Sequence, residues 1–530
     1  MVSADLTDLL AKVLPTGVEI TVRHVSSTPT PCEALFAAAP GQVSEPTFCE
    51  NHFLSVSVES NDESETIIFG MEVMVYNTAH LTTIFVSKAD STGFLHLLKL
   101  PRKVSILRLV SNTFLSFLAR TRQRPGVRLV VSLFARAQNQ YLFPGSIENA
   151  EKHVLDDRGL IKWWCRALDP ILREHEPESS LKETKTLDQT VEAAKASATA
   201  YLIVPSCDRF ETRNFFPATA KTDAQDHPRW LNSYPLKQLY HDPSAPPRCL
   251  VPRFPDDPKT RFLIDLDGEL PEESDENPIP PNAGRWRSVR SLDQFWEMMS
   301  FRQECSAGRL VGFLWLVINP PGLMNSTSMA SQTRGSSNIS QVFNDTEALV
   351  STPKEKMDSD SSKIDTNDHS IETTTTPTVT EIPRDDGSST VNPFDWPEAG
   401  RGNVVLSEAD YKKMMDSVLD HFYDEKEIVA STRSYVDIVS CLADELTWGK
   451  KVVGSNAAST GPPQSADTKT NNVLDLGLIR KRKKSVGVDN TPVVNAIQTP
   501  SGSGDTQPAP SEPAGVNVLN ASLVRKKKKT

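Results

Sequence analysis

Hydrophobic and polar positions change rhythm several times along this chain. Near the N-terminus Leu6, Leu9, Leu10 and Val13 recur at helical spacing and predict a short amphipathic helix. Phe53–Val58 alternates, Thr66–Tyr76 is long and β-rich, and Thr82–Val86 follows a short turn, so this region predicts neighbouring strands. Helical spacing takes over near Pro101, through Val104, Leu107, Ser111, Phe114, Leu115 and Leu118. Gly126 breaks it, and Val127–Phe134 predicts another strand. Leu160, Trp164, Leu168 and Ile171 are helical again, and the apolar run Leu310–Ile318 predicts a buried strand, being about half a membrane span. Strands first, then helices and strands mixed, indicate an α/β (mixed α+β) fold rather than a doubly wound repeat.

The rhythm is lost between about 325 and 400, where Ser, Thr and Asp dominate. Ordering a residue costs roughly 1–2 kcal/mol of backbone entropy, which so few aliphatic side chains cannot offset, and this stretch is expected to be a disordered insertion. Periodicity returns at Ser407–Asp410, a start resembling a capping box, followed by the stripe Tyr411, Met414, Met415, Val418, Leu419 and Phe422. A second helix is expected from about Ser431 to Leu446. Because so short a helix pair is marginal alone, 401–450 is expected to pack back on the 1–324 body, leaving 325–400 as an insertion within one domain. The tail, 451–530, is expected to be disordered and carries a duplicated basic motif, Asn472–Lys484 and Asn517–Lys529.

Composition narrows the function. The 530 residues carry a formal net charge of −11, which disfavours general nucleic-acid binding and suits a basic partner. Seven scattered cysteines without a C-x-x-C argue against a disulfide framework or a zinc site and for a reducing compartment. No basic-then-apolar leader opens the sequence and no run reaches a membrane span, so a soluble intracellular protein without a membrane partner is expected.

Three segments concentrate the chemistry. Gln140–Trp164 combines Tyr141, the Lys152-His153 pair and the Trp163-Trp164 doublet, an apolar wall beside a cationic lip. Ile84–Phe94 carries Phe85, Lys88, Ala89 and Asp90 past the expected strand end. Arg253–Phe262 holds Asp256 and Asp257 before Pro258 and Lys259, which also reads as a complete helix start with Asp257 as N-cap. Adjacent helical positions point Trp163 and Trp164 about 100° apart, and without further context core packing explains one of them. Asp90 reads equally as a turn cap before Gly93, and Lys152-His153 as ordinary loop charge.

Together and in this order, the three segments resemble the fungal-specific histone H3 lysine acetyltransferases, the regulator of Ty-element transposition family, which are structural relatives of the CREB-binding-protein acetyltransferases. The resemblance covers roughly 1–320 and, more loosely, 400–450. It implies a central mixed β-sheet surrounded by helices, acetyl-CoA as cosubstrate, no metal, and direct transfer to a core lysine of histone H3, position fifty-six, with tail lysines as further targets. Asp90, Tyr141, Trp164, Asp256 and Asp257 are then the expected catalytic group. Phe85, Lys88, Ala89, Phe134, Arg136, Lys152, His153 and Trp163 are expected at the cofactor, and Lys259 as the self-acetylated residue. Direct transfer leaves Cys165 no nucleophilic role.

Expected partners are histone H3–H4 and the anti-silencing-function histone chaperone, in the nucleus, in replication-coupled nucleosome assembly and genome stability. A nucleosome-assembly-protein-type chaperone is a further partner the family suggests, although the Arg120–Gly126 connection is shorter than in budding-yeast members. The basic repeats suit nuclear localisation and docking to the chaperone. The rival class is a non-catalytic chromatin scaffold that binds chaperone complexes. A nuclear nucleic-acid binder lacks aromatic-basic interleaving in the body, so no specific nucleic acid is expected.

Overall fold

The computed structural model describes residues 5–60, 63–100, 104–178, 195–240, 242–270, 284–302, 309–321 and 394–457. These belong to one compact unit, Met1–Ser465; a second unit, Ala466–Thr530, which carries both basic repeats, lies outside the described residues, as does nearly all of the expected 325–400 insertion.

Among the described residues, eleven strands form one mixed sheet. In chain order they are β1 (Glu19–Ser27), β2 (Thr30–Cys32), β3 (Thr47–Glu59), β4 (Glu65–Asn77), β5 (Leu81–Ser91), β6 (Arg128–Arg136), β7 (Ser197–Ile203), β8 (Trp230–Leu231), β9 (Val311–Asn319), β10 (Val404–Leu406) and β11 (Lys450–Val453). The spatial order is β10-β1-β3-β4-β5-β6-β9-β7-β8, with β11 also on β1 and β2 on β3. β5 pairs with β6 in parallel, whereas β3–β4–β5 and β6–β9–β7 are antiparallel. The fold is the mixed α/β arrangement that the element order indicated, with the helix-wrapped sheet that the family resemblance implied.

Strand alternation divides the core between the two faces of this sheet. Ile84, Val86, Leu129, Val131, Leu314 and Leu316 face helices α1 (Leu6–Val13), α2 (Ile106–Arg122) and α3 (Asp157–Arg173). Phe85, Val130, Phe134, Phe313 and Trp315 face the other way, toward Phe254, the helix Pro258–Asp267 and the helix Leu292–Met299. A third cluster joins Phe53, Ile67, Leu142 and Phe143 to the helices Glu408–Asp420 and Ile428–Ala443.

The returning segment is fastened at several depths. β10 pairs with β1, the Trp396 indole and the Arg122 guanidinium both donate to the buried Glu50 carboxylate, and Arg122 Nη1 also donates to the Ala399 carbonyl at 2.7 Å. Several boundaries differ from the sequence expectation: β11 pairs with β1 at the start of the tail expected to be disordered, and two helix ends move for a local reason. α2 starts at Ile106, because Ser105 is extended as its N-cap. The last long helix stops at Ala443, because Asp444 turns left-handed at φ +55°.

Candidate active site

β5 runs further than its apolar alternation suggested. Lys88, Ala89 and Asp90 remain in the ladder, opposite Glu72, Met71 and Gly70, after a register shift between Glu72 and Val73. On the other edge the pairing with β6 ends at Val86–Leu133, so the backbone there is released where the side chains of interest begin.

Beyond that point lies a cavity of about 570 Å³, well within the roughly 300–1,000 Å³ common for ligand sites. Ala89, Asp90, Tyr141, Lys152, His153, Trp163 and Trp164 all line it. The two tryptophans meet edge to face, with ring centroids 4.9 Å apart; Trp164 is buried in the core while Trp163 is half-buried at the wall. Leu107 and Leu160 extend this apolar surface.

Asp90 is the organising group. Its Oδ2 accepts hydrogen bonds from the backbone N–H of Tyr141 at 2.7 Å and of Leu142 at 3.1 Å. Its Oδ1 accepts from the Ser91 N–H at 2.8 Å and from Lys152 Nζ at 3.0 Å. Lys152 also donates to Ser146 Oγ at 2.6 Å. Burial lowers the Lys152 ammonium below its ordinary pKa, opposed by Asp90. Gly93 is needed where this pair closes: its φ is +97°, and a Cβ there would lie 2.9 Å from the Lys152 backbone nitrogen. Lys152 is thus committed inward rather than presented on an open lip. The Tyr141 hydroxyl donates to the Arg136 carbonyl at 2.7 Å, and burial raises its pKa.

The remaining candidates stand apart from the cavity wall. Phe85 stacks on Phe254 at 4.1 Å, near Phe134, in the layer under the helix Pro258–Asp267. Arg136 ends β6 opposite Val311. Lys88 bridges Glu72 at 2.9 Å and Asp256 at 3.0 Å; burial works against its charge, but the two carboxylates outweigh this and hold the ammonium above its ordinary value. Asp256 is largely exposed and left-handed at φ +57°. Asp257 caps its helix, accepting from the Lys259 N–H at 2.8 Å, and its carboxylate pairs with Lys259 Nζ. That ammonium is sealed inside, 4.5 Å from the Phe313 ring centroid and 5.9 Å from that of Phe254.

Sequence reasoning missed the far side of the cavity. Ser105, Ile106 and Leu107 line it at the start of α2; the Ser105 side chain makes no cap hydrogen bond, and the first turn carries no acid. Unopposed N–H groups there, with His96, Lys99 and His153 on the rim, form a positive end suited to phosphate. A Ser just before an apolar-periodic run was the available signal, obscured because periodicity seemed to begin earlier. An apolar wall ending in a cationic rim fits a thioester carrier with a phosphorylated head.

The histone acetyltransferase KAT11-type domain profile matches residues 6–128 and 123–438 of the chain. The chain belongs to this histone acetyltransferase family. Histone acetyltransferase rtt109 of Aspergillus flavus is 56% identical over 563 aligned residues, covering 100% of this chain and 99% of that protein. The Schizosaccharomyces pombe histone acetyltransferase rtt109 is 30% identical over 311 residues, 59% of this chain and 71% of that one. The crystal structure of Rtt109 from Aspergillus fumigatus superposes with a TM-score of 0.70 at 60% identity, over 86% of this chain and 100% of that one. The enzyme is therefore an acetyltransferase of the Rtt109 type, which uses acetyl-CoA and works on histones, hence on chromatin in the nucleus.

Proposed function

We propose that this enzyme transfers acetyl directly from acetyl-CoA to lysines of histone H3. The core lysine at position fifty-six is its principal target and tail lysines are further ones. The amine nitrogen bonds to the thioester carbonyl carbon, the C–S bond breaks, coenzyme A leaves as the thiol and the new amide nitrogen loses its proton. One observation carries the direct route: among the described residues no cysteine lines the cavity. The nearest in sequence to the tryptophans, Cys165, is fully buried, and burial raises its thiol far from the reactive thiolate range.

The residues divide the work. Trp163, Trp164 and Ala89 shape the apolar channel, and the α2 N-terminus with Lys99 and His153 receives phosphate. Both Asp90 oxygens are occupied, so Asp90 acts by positioning the Tyr141–Leu142 backbone and Lys152 rather than by taking the substrate proton. Phe85, Phe134, Lys88, Arg136, Asp256 and Asp257 support the strand ends from the opposite layer. Self-acetylation of Lys259 would remove the charge facing Asp257 and requires that its sealed pocket open.

The anti-silencing-function chaperone presents H3–H4 in this reading, with the basic repeats as its docking site, in nucleosome assembly behind replication forks. The test is acetyl transfer to H3–H4 with and without that chaperone, mapping acetyl-lysine by mass spectrometry. Core-lysine acetylation that depends on the chaperone is expected. A folded enzyme that transfers nothing under either condition, not even to Lys259, would leave the scaffold reading.

A further inference from the structure

The cavity wall does not end at the cavity. The loop that follows Tyr141 passes outward through Gly145 and Glu148, and the turn between the helices Glu408–Asp420 and Ile428–Ala443 closes on it. The Tyr423 N–H donates to the Pro144 carbonyl at 2.7 Å. The Asn149 carboxamide donates to the Tyr423 carbonyl at 2.8 Å and to the Thr92 carbonyl at 2.6 Å. One side chain therefore ties the turn, the loop and the end of β5 together.

Phe422 lies over Gly145, where a Cβ would come within 3.0 Å of its ring, yet 60% of Phe422 is exposed. Ile147, two residues along the loop, is 40% exposed. Other large apolar side chains, Phe210 and Phe301 among them, are also exposed, but Phe422 and Ile147 sit on one cross-tied support beside the cavity. Their surroundings are acidic: Glu148 on the loop and Glu425 and Glu427 on the turn are exposed, and Glu151 continues the series to the cavity rim. Lys426 is the one opposing charge within the turn.

The geometry points to this platform as the docking surface for the basic protein substrate, which seats an apolar side chain on Phe422 and Ile147 and sets flanking lysines and arginines against the glutamates. The inference deepens the histone reading and rests on it. An apolar centre inside a charged rim matches how protein interfaces place their energy, and the acidic rim rejects nucleic acid while attracting a histone. Continuity with the cavity supplies the remaining argument: the loop leaves the cavity wall at Tyr141 and returns to it at Glu151 and Lys152, so a partner seated here lies beside the site.

The test uses the full-length enzyme with Phe422→Ala and, separately, with the double charge reversal Glu148→Lys/Glu425→Lys, all at exposed positions. Two readouts are needed: binding of H3–H4 without acetyl-CoA, and steady-state transfer. Either variant should raise the KM for H3–H4 at least tenfold and weaken binding in proportion, with kcat and the KM for acetyl-CoA within twofold of wild type. The charge reversal should also flatten the salt dependence of binding. Histone affinity and KM within twofold of wild type in both variants would overturn the proposal. If wild-type enzyme binds histones, loses that binding in the variants and yet transfers no acetyl, the catalytic reading fails while the docking surface stands.

Discussion

Two buried lysine–aspartate pairs occupy this fold, and they differ in everything except their chemistry. Asp90 and Lys152 lie 62 residues apart and line the cavity, so their 3.0 Å contact is also a wall of the site. Asp257 and Lys259 are two residues apart on one helix start, sealed beneath aromatic rings in the layer facing the other side of the sheet. The distant pair can form only once β5, the loop and Gly93 are assembled, whereas the local pair is arranged by its own turn of backbone. A charge pair that spans the fold holds a site in shape; a pair within one turn makes a polar group tolerable in the core. Burial draws Lys152 below its ordinary pKa although it lines a cavity, and the Asp90 side chain it serves is only 8% exposed.

The largest expected effect tests the sealed pair. Lys259→Ala leaves Asp257 buried without its cation and should cost about 3–5 kcal/mol of stability. Urea unfolding of the variant measures this, and a loss below about 1 kcal/mol would mean that the core readily hydrates. The open pair should respond in rate instead. Asp90→Ala releases the Tyr141–Leu142 amides and should cut acetyl transfer at least about a hundredfold, roughly 2.7 kcal/mol of barrier, as should Trp164→Ala. Wild-type rates in folded variants would remove both residues from the site.

A pH series separates the cavity lysine from Lys88. Lys88 is held above the ordinary 10.5, so its stabilising contribution is present below pH 10.5 and is lost as pH rises through its higher folded value. Lys152 is displaced downward, so the unfolded chain binds the extra proton between its folded value and 10.5, and its burial penalty is relieved as pH climbs through that window. Denaturant unfolding from neutral to strongly alkaline pH should therefore show the cost of Lys152→Met growing toward pH 10.5, while that of Lys88→Met shrinks above it. Parallel trends would contradict this assignment. The smallest effect belongs to Asp256→Ala: its carboxylate is largely exposed and Lys88 keeps Glu72, so stability should change by no more than about 1 kcal/mol.

Several of these features were readable before the structure. The Asp257-Pro258 helix start and the Ser407 cap appear where their short-range signatures placed them. The run Leu310–Ile318 is the buried interior strand β9, and Trp163 and Trp164 stand on one helix pointing different ways. Other features were not legible. Lys152 beside His153 read as a cationic lip, and nothing nearby in sequence says that Asp90 captures it. The Tyr141 hydroxyl looked free for chemistry until the turn back to Arg136 occupied it. The positive end of α2 went unseen because apolar spacing begins before the helix does.

The sequence by itself determined the elements, their apolar faces and their caps, since these depend on hydrogen bonds and side-chain periods within a few residues. It also carried three local motifs ordered well enough to bring out a family resemblance. The tertiary structure alone decided which of those residues share a cavity, that Phe85 and Lys259 lie under the opposite layer, and that Tyr423 meets a loop 274 residues before it. Strand register and helix packing fix such contacts, and they arise from the burial of whole faces against each other, a sum over distant residues that no short window contains.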